Sequence, residues 1–255
     1  MEKLNESLRQ PSRLPSSAKG AQEWRGVMPL AIDLFCGLGG WTEGLLAEGY
    51  YVIGFDIEQH VYGEHRYPAQ MVIQDVLTLH GKQFKDAALI VASPPCQEFS
   101  YMAMPWSLAK AKQARIQADP AEQKRLTALF DACFRIQREA SEAAGRHIPM
   151  VVENVKGAQK WVGRARWAFG SFYLWGDVPA LMPIAKGRKN NGGSWFAIGS
   201  VGQKETGKNP VHERSRGPRN DPRGKSRGKF ASALIAKIPL ILSRHIARVY
   251  HPGAA

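Results

Sequence analysis

The chain reads as an α/β protein built on a mostly parallel sheet with helices on both faces. Three observations predict this. Short apolar runs recur along it, MPLAIDLF, YVIGFD, MVIQD, ALIVASPPC and IPMVVEN, and each carries a polar or reactive residue at or near its end. Helical segments fit between them, such as WTEGLLAEG after a glycine-rich loop, and strands alternating with helices are the pattern of parallel sheets. Finally, Asp33, Asp56, Asp75, Cys96 and Glu153 all fall at the carboxyl ends of their runs, the edge where open α/β sheets bind ligands.

Taken in order, residues 1–27 carry Ser, Pro and mixed charge without a period and read as a flexible arm. The first strand leads into DLFCGLGG and then a helix, and the next two strands close on Asp56 and Asp75. In the fourth, Pro94 and Pro95 have no N–H for a ladder, so the strand stops and Cys96 sits on a stiff turn. The following stretch, YMAMPWSLAKAKQARIQA, is basic, aromatic and weakly patterned; a mobile loop over the site is preferred to an exposed helix. A helix from about 120 to 144 is signalled by Asp119 as N-cap, Pro120 in the first turn and Glu122 in the capping-box position. Leu126, Leu129, Phe130, Cys133 and Ile136 recur on it at helical spacing, which assigns Cys133 to the core. IPMVVEN supplies the last strand. From 179 to 230 the composition turns to Gly, Pro, Asn and Arg, and an apolar helix, ASALIAKIPLILSRHIARVY, closes the chain. The expected organisation is one domain, 28–178 with 231–255, interrupted by a basic insert at 179–230.

The charge is local. Between Lys186 and Lys229 twelve Lys and Arg face three acids, a net +9 out of +13 for all 255 residues, which points to a polyanionic partner. No apolar stretch approaches the roughly 20 residues of a membrane span. The polar start lacks the centre of a signal peptide, so a cytoplasmic location is expected. Three cysteines without a CxxC pair fit neither a disulfide framework nor a cysteine zinc site, and no metal is expected.

The glycines of DLFCGLGG let a ligand approach the backbone, as nucleotides, flavins and adenosyl cofactors all require. Asp56, 23 residues after Asp33, is placed for ribose hydroxyls, and Asp75 for an adenine amino group. GxGxxG and GxxxxGK[ST] are absent, and three carboxylates repel phosphates. An adenosyl cofactor with a cationic centre fits better, which points to S-adenosylmethionine. Cys96 alone reads as readily as a buried structural cysteine; in SPPCQ, with Glu153 downstream, it reads as a nucleophile. A thiolate adds at C6 of a pyrimidine whose ring nitrogen is engaged by an acid, and C5 then accepts a methyl group. A thiol protease would need a histidine base, and the seven histidines show no obvious partner in sequence.

DLFCGLGG, SPPCQEFS and VVENV, in that order, resemble motifs I, IV and VI of the DNA cytosine-5 methyltransferases, and IAKIPLILSRHI resembles the family's final motif. The resemblance covers roughly 28–178 and 231–250. It implies a Rossmann-like fold of the class I S-adenosylmethionine-dependent methyltransferase type with a small basic target-recognition insert. By it Cys96 attacks C6 of a flipped cytosine in double-stranded DNA and Glu153 engages N3 and the amino group. Arg164 or Arg166, which keep the RxR spacing of a further motif, would hold O2. The positions matching the cofactor pocket are Phe35, Gly37, Leu38, Gly40, Asp56, Ile57, Asp75, Val76 and Pro95. Those expected against DNA are Gln97 and Ser100 beside the cysteine and Arg188, Arg214, Arg216, Arg219 and Arg223 in the insert. Trp195 and Phe196 would stack on bases or anchor the insert. A monomer without a membrane partner is expected.

The match departs in places. Arg164 follows Glu153 unusually soon, and Ile235-Ala236 stands where the final motif usually opens with Gly-Asn. The length resembles compact phage and prophage members. A cytosine-5 methyltransferase of RNA (tRNA) and a catalytically silent DNA-binding member remain the alternatives.

Overall fold

The computed structural model describes residues 28–97, 99, 106–183, 233–234 and 236–253. The amino-terminal arm, Ser100 and nearly all of the basic insert, with Arg188, Trp195, Phe196, Arg214, Arg216, Arg219 and Arg223, lie outside the described residues.

The strands are β1 (Leu30–Leu34), β2 (Tyr51–Asp56), β3 (Gln70–Ile73), β4 (Ala87–Ala92), β5 (Met150–Asn154), β6 (Trp167–Phe169) and β7 (Phe172–Gly176). The helices are α1 (Gly40–Ala47), α2 (Trp106–Ala118), α3 (Pro120–Ala144), α4 (Gln159–Val162) and α5 (Leu240–Val249). Strand order is β3-β2-β1-β4-β5-β7-β6. β1 to β5 pair in parallel, whereas β7 is antiparallel to both β5 and β6. The order reverses between β1 and β4, the switch point where sheets of this kind open a crevice. The glycine-rich loop follows β1 and the Pro-Pro-Cys turn follows β4.

Successive strand residues turn to opposite faces of the sheet as the pleat requires. Ile32, Ile90, Met150 and Val152 pack with Phe130, Cys133 and Ile136 of α3. Ala31, Leu89, Val91 and Val151 pack on the other face with Trp41 and Leu45 of α1 and Leu242 and Ile246 of α5. Strands buried on both faces read as unbroken apolar runs, which is how the sequence displays them. α3 has the boundaries its caps predict. Asp119 accepts from the Ala121 and Glu122 backbone N–H groups, and Cys133 is fully buried.

Three expectations are corrected. Residues 106–118 form helix α2 rather than a mobile loop. Its Ala, Lys, Gln and Arg are good helix formers, it turns inward only through Ala109 and Ile116, and Arg115 pairs with Glu122 at 3.2 Å. The closing helix is interrupted, because Pro239 cannot continue the ladder and α5 starts after it. Residues 167–176, not recognised as strands, form the β6–β7 hairpin across Gly170-Ser171, with Gly170 at φ 63°.

Candidate active site

The loop from β1 to α1 turns through Phe35, Gly37 and Gly39 at φ 59°, 48° and 76°. Phe35 is the one residue other than glycine at positive φ among the described residues, and an aromatic side chain bears that conformation at a cost. Asp56 closes over the loop from β2. Its Oδ2 accepts from the Gly37 N–H at 2.9 Å and its Oδ1 from the Ile57 N–H at 2.8 Å. Beneath, Asp33 is fully buried; the Thr42 hydroxyl donates to its Oδ2 at 2.6 Å, while Oδ1 has no partner among the described residues. Burial pushes the Asp33 carboxyl up to about 7 against the opposing pull of Thr42.

Leu38 and Val76 are buried, Pro95 and Ile57 are exposed, and Asp75 caps the turn at 76–78 by accepting from the Leu77 N–H at 2.9 Å. Gly40 answers to a different neighbour. A Cβ there would come within 2.4 Å of the Ile238 backbone nitrogen, so its missing side chain admits the returning carboxyl-terminal segment. Lys237 pairs with Glu43 and both arginines of α5, Arg244 and Arg248, pair with Glu48, which fastens that segment to α1.

The second half of the site is built from β4 and β5. Asn154 donates from Nδ2 to the Pro94 carbonyl at 2.9 Å, and its Oδ1 accepts from the Val155 N–H at 2.8 Å, so the end of β5 grips the proline turn. A Cβ on Gly157 would meet the Phe99 carbonyl at 2.1 Å, so only glycine lets the segment after Cys96 lie against the loop after β5. Phe99 is buried and its N–H donates to the Cys96 carbonyl at 3.0 Å. Cys96 is half-buried, Cys36 and Cys133 are buried, and Gln97 is exposed.

Glu153 is 9% exposed, and burial raises its carboxyl to about 8 although the Ser93 hydroxyl bonds it. Burial also raises the Cys96 thiol, and the charge of Glu153 raises it further, so the two groups lie within electrostatic reach. At neutral pH Glu153 is mostly a neutral acid and that repulsion is largely relieved. A thiol and an un-ionised carboxyl, at the ends of neighbouring strands, can add a nucleophile and deliver a proton to one planar ring.

A sequence model of the family described as C-5 cytosine-specific DNA methylase matches residues 30–160. The chain belongs to that family. No curated protein matches it. Among solved structures it is similar to the Dnmt2 methyltransferase of S. pombe, at 17% identity over 53% of this chain, with a TM-score of 0.33. The methyltransferase EhMeth of Entamoeba histolytica shares 18% identity over 53% (TM-score 0.33), and a DNMT2 variant of Spodoptera frugiperda 19% over 52% (TM-score 0.32). The chain spans 37%, 41% and 37% of the lengths of those three.

Membership of this methylase family implies S-adenosylmethionine as cofactor, and the residues present fit it. Asp33 Oδ1 is a buried acceptor to which no group among the described residues donates, space is open where a Gly37 side chain would lie, and Ile57 beside Asp56 is 70% exposed. Asp56 would hold the ribose, and the loop from Phe35 to Gly40 would carry the rest.

Two other expected residues lie one strand beyond Glu153, whose partner on β7 is Leu174. Arg164 and Arg166 are exposed and precede β6, which β7 separates from β5. The Arg166 N–H donates to the Leu174 carbonyl at 2.8 Å, and its charge acts on the Tyr250 phenol, which donates to the Asp177 carbonyl. Asp177 in turn accepts from the Met150 N–H at the start of β5, at the far end from Glu153. Sequence reasoning missed Trp41, Ser93, Asn154 and Gly157. Asn154 and Gly157 were adjacent to a recognised motif, whereas nothing links Trp41 to Ser93 before folding. Among the described residues no helix is long and apolar enough to cross a membrane, and no His, Cys, Asp and Glu cluster could hold a metal ion.

Proposed function

We propose that the chain methylates C5 of cytosine in duplex DNA, with Cys96 as nucleophile and Glu153 as proton donor. The observation that carries this reading is the accessible thiol coupled to a buried carboxyl that stays protonated at neutral pH. The target base must leave the stack to expose C6, which costs roughly a few kcal/mol.

The Cys96 Sγ then bonds C6 while the thiol proton leaves to solvent. The C5–C6 π pair shifts to C4–C5, the C4–N3 π pair moves onto N3, and N3 takes the proton of Glu153. The N3 pair returns to C4–N3 when C5 takes the methyl group. S-adenosylmethionine, when bound, supplies an electrophilic methyl group. Once C5 carries that methyl, its proton leaves to a base and the C–H pair re-forms the C5–C6 double bond. Sγ departs with the electrons of its bond to C6, and Glu153 recovers its proton from N3.

Phe35, Gly37, Leu38, Gly40, Asp56, Ile57, Asp75, Val76 and Pro95 are proposed around the cofactor, and Gln97 and Ser100 beside the base. The insert at 179–230 would neutralise phosphates, with affinity that falls steeply with salt. Arg164 or Arg166, one strand beyond Glu153, would hold the base O2. The test is transfer from labelled S-adenosylmethionine to matched duplex DNA and RNA. Label that deoxyribonuclease releases and ribonuclease does not supports the reading. Label on RNA alone moves the substrate class, and none on either polymer with cofactor bound leaves a silent binding member.

A further inference from the structure

We propose that Ser93, held by Trp41, is a positioning residue that orients Glu153 and stabilises its carboxylate after the proton has passed to the base. The inference rests on the reading of Glu153 as the proton donor. The Trp41 indole N–H donates to Ser93 Oγ at 3.0 Å, and Trp41 is buried. An indole nitrogen only donates, so it occupies a lone pair of the serine oxygen and leaves the hydroxyl hydrogen for Glu153. Ala92 and Val152 are register partners on β4 and β5, so Ser93 lies beside Glu153, and its hydroxyl acts against burial, which alone would raise the carboxyl further.

Position makes the arrangement more than packing. Ser93 directly follows β4 and precedes the Pro94-Pro95-Cys96 turn, so one backbone segment carries both the nucleophile and the support of the acid. Trp41 lies in the first turn of α1, next to Thr42, whose hydroxyl holds Asp33. That single turn, entered straight from the glycine-rich loop, thus holds both buried acids of the site. The titratable group facing Glu153 is the Cys96 thiol from the β4 turn. Trp41 from α1, Ser93 after β4 and Leu174 opposite on β7 bring no charge.

The test follows the Glu153 carboxyl carbon by NMR through a pH titration of the full chain labelled at glutamate carboxyls, with Glu153→Gln to assign the resonance. Wild type is expected to titrate near 8. Ser93→Ala is expected about one pH unit higher, since one bond to a charged group is lost. Trp41→Phe moves the same way by less, and Ser93→Thr, which keeps the hydroxyl, restores the wild-type value. In methyl transfer, Ser93→Ala lowers kcat about tenfold and carries the alkaline limb of the profile upward, with cofactor Kd unchanged. A folded Ser93→Ala that titrates like wild type overturns the relay whatever its activity; if that variant does not fold, an unmoved titration in Trp41→Phe does the same. A Glu153→Gln variant as active as wild type overturns the underlying reading whatever the titrations show.

Discussion

Asp56 and Glu153 end strands of the same sheet edge, yet their surroundings differ in the supply of donors. Asp56 receives the backbone N–H groups of Gly37, Ile57 and Glu58, at 2.9, 2.8 and 3.5 Å. Glu153 is buried with a single serine hydroxyl, and its carboxyl rises to about 8. Backbone amides aimed at a carboxyl favour its charged form, and burial with few donors favours the neutral one. One side chain type therefore serves two purposes. Beside the glycine-rich loop it is an acceptor for hydroxyl groups, and beside Cys96 it is an acid able to give up a proton. The two halves should accordingly fail in different quantities, the Cys96 half in rate and the Asp56 half in affinity.

The largest effect is expected at Cys96. Cys96→Ser should lower methyl transfer by more than about 10³-fold while calorimetry returns an unchanged cofactor Kd. Glu153→Gln should lower kcat by about 10²- to 10⁴-fold, again with cofactor binding retained. Asp56→Ala should do the reverse. Its cofactor Kd should rise about 10- to 100-fold, with kcat largely restored at saturating cofactor. A fall in kcat without a change in Kd would remove the distinction between the halves.

A further effect, outside catalysis, is on stability. Asp33 and Glu153 bind their protons more tightly folded, at about 7 and about 8, than unfolded at about 4. The stability they contribute is whole below about pH 4 and is lost as pH rises through 7 and 8. Chemical denaturation from pH 5 to 9 should show that decline, and Glu153→Gln should flatten its upper part.

What the sequence displayed was whatever is local. The four inner parallel strands, β1, β2, β4 and β5, are largely buried on both faces and so are continuous in composition, and α3 carries its own caps. The fold class and the Cys96–Glu153 pair followed from those runs and from what ends them. The β6–β7 hairpin was hidden because WAFGSFYLWG lacks strict alternation and lies next to an RxR spacing that suggested chemistry instead. α2 was hidden because two inward residues make no stripe. The contact of Trp41 with Ser93 joins residues 52 apart and exists only once α1 packs across the end of β4. Arg164 and Arg166 lie between these cases, with Arg166 bonded to Leu174 opposite Glu153. Their spacing is right for the family, and β7 stands between them and Glu153.

The measurement that bears most directly on the account is peptide mass spectrometry after incubation with S-adenosylmethionine and DNA containing 5-fluorocytosine, whose C5 fluorine cannot leave as a proton does. A covalent nucleotide on the peptide bearing Cys96, absent in Cys96→Ser, is the predicted result. Methylated cytosine in ordinary DNA with no such adduct, or an adduct on Cys36 or Cys133, would contradict it.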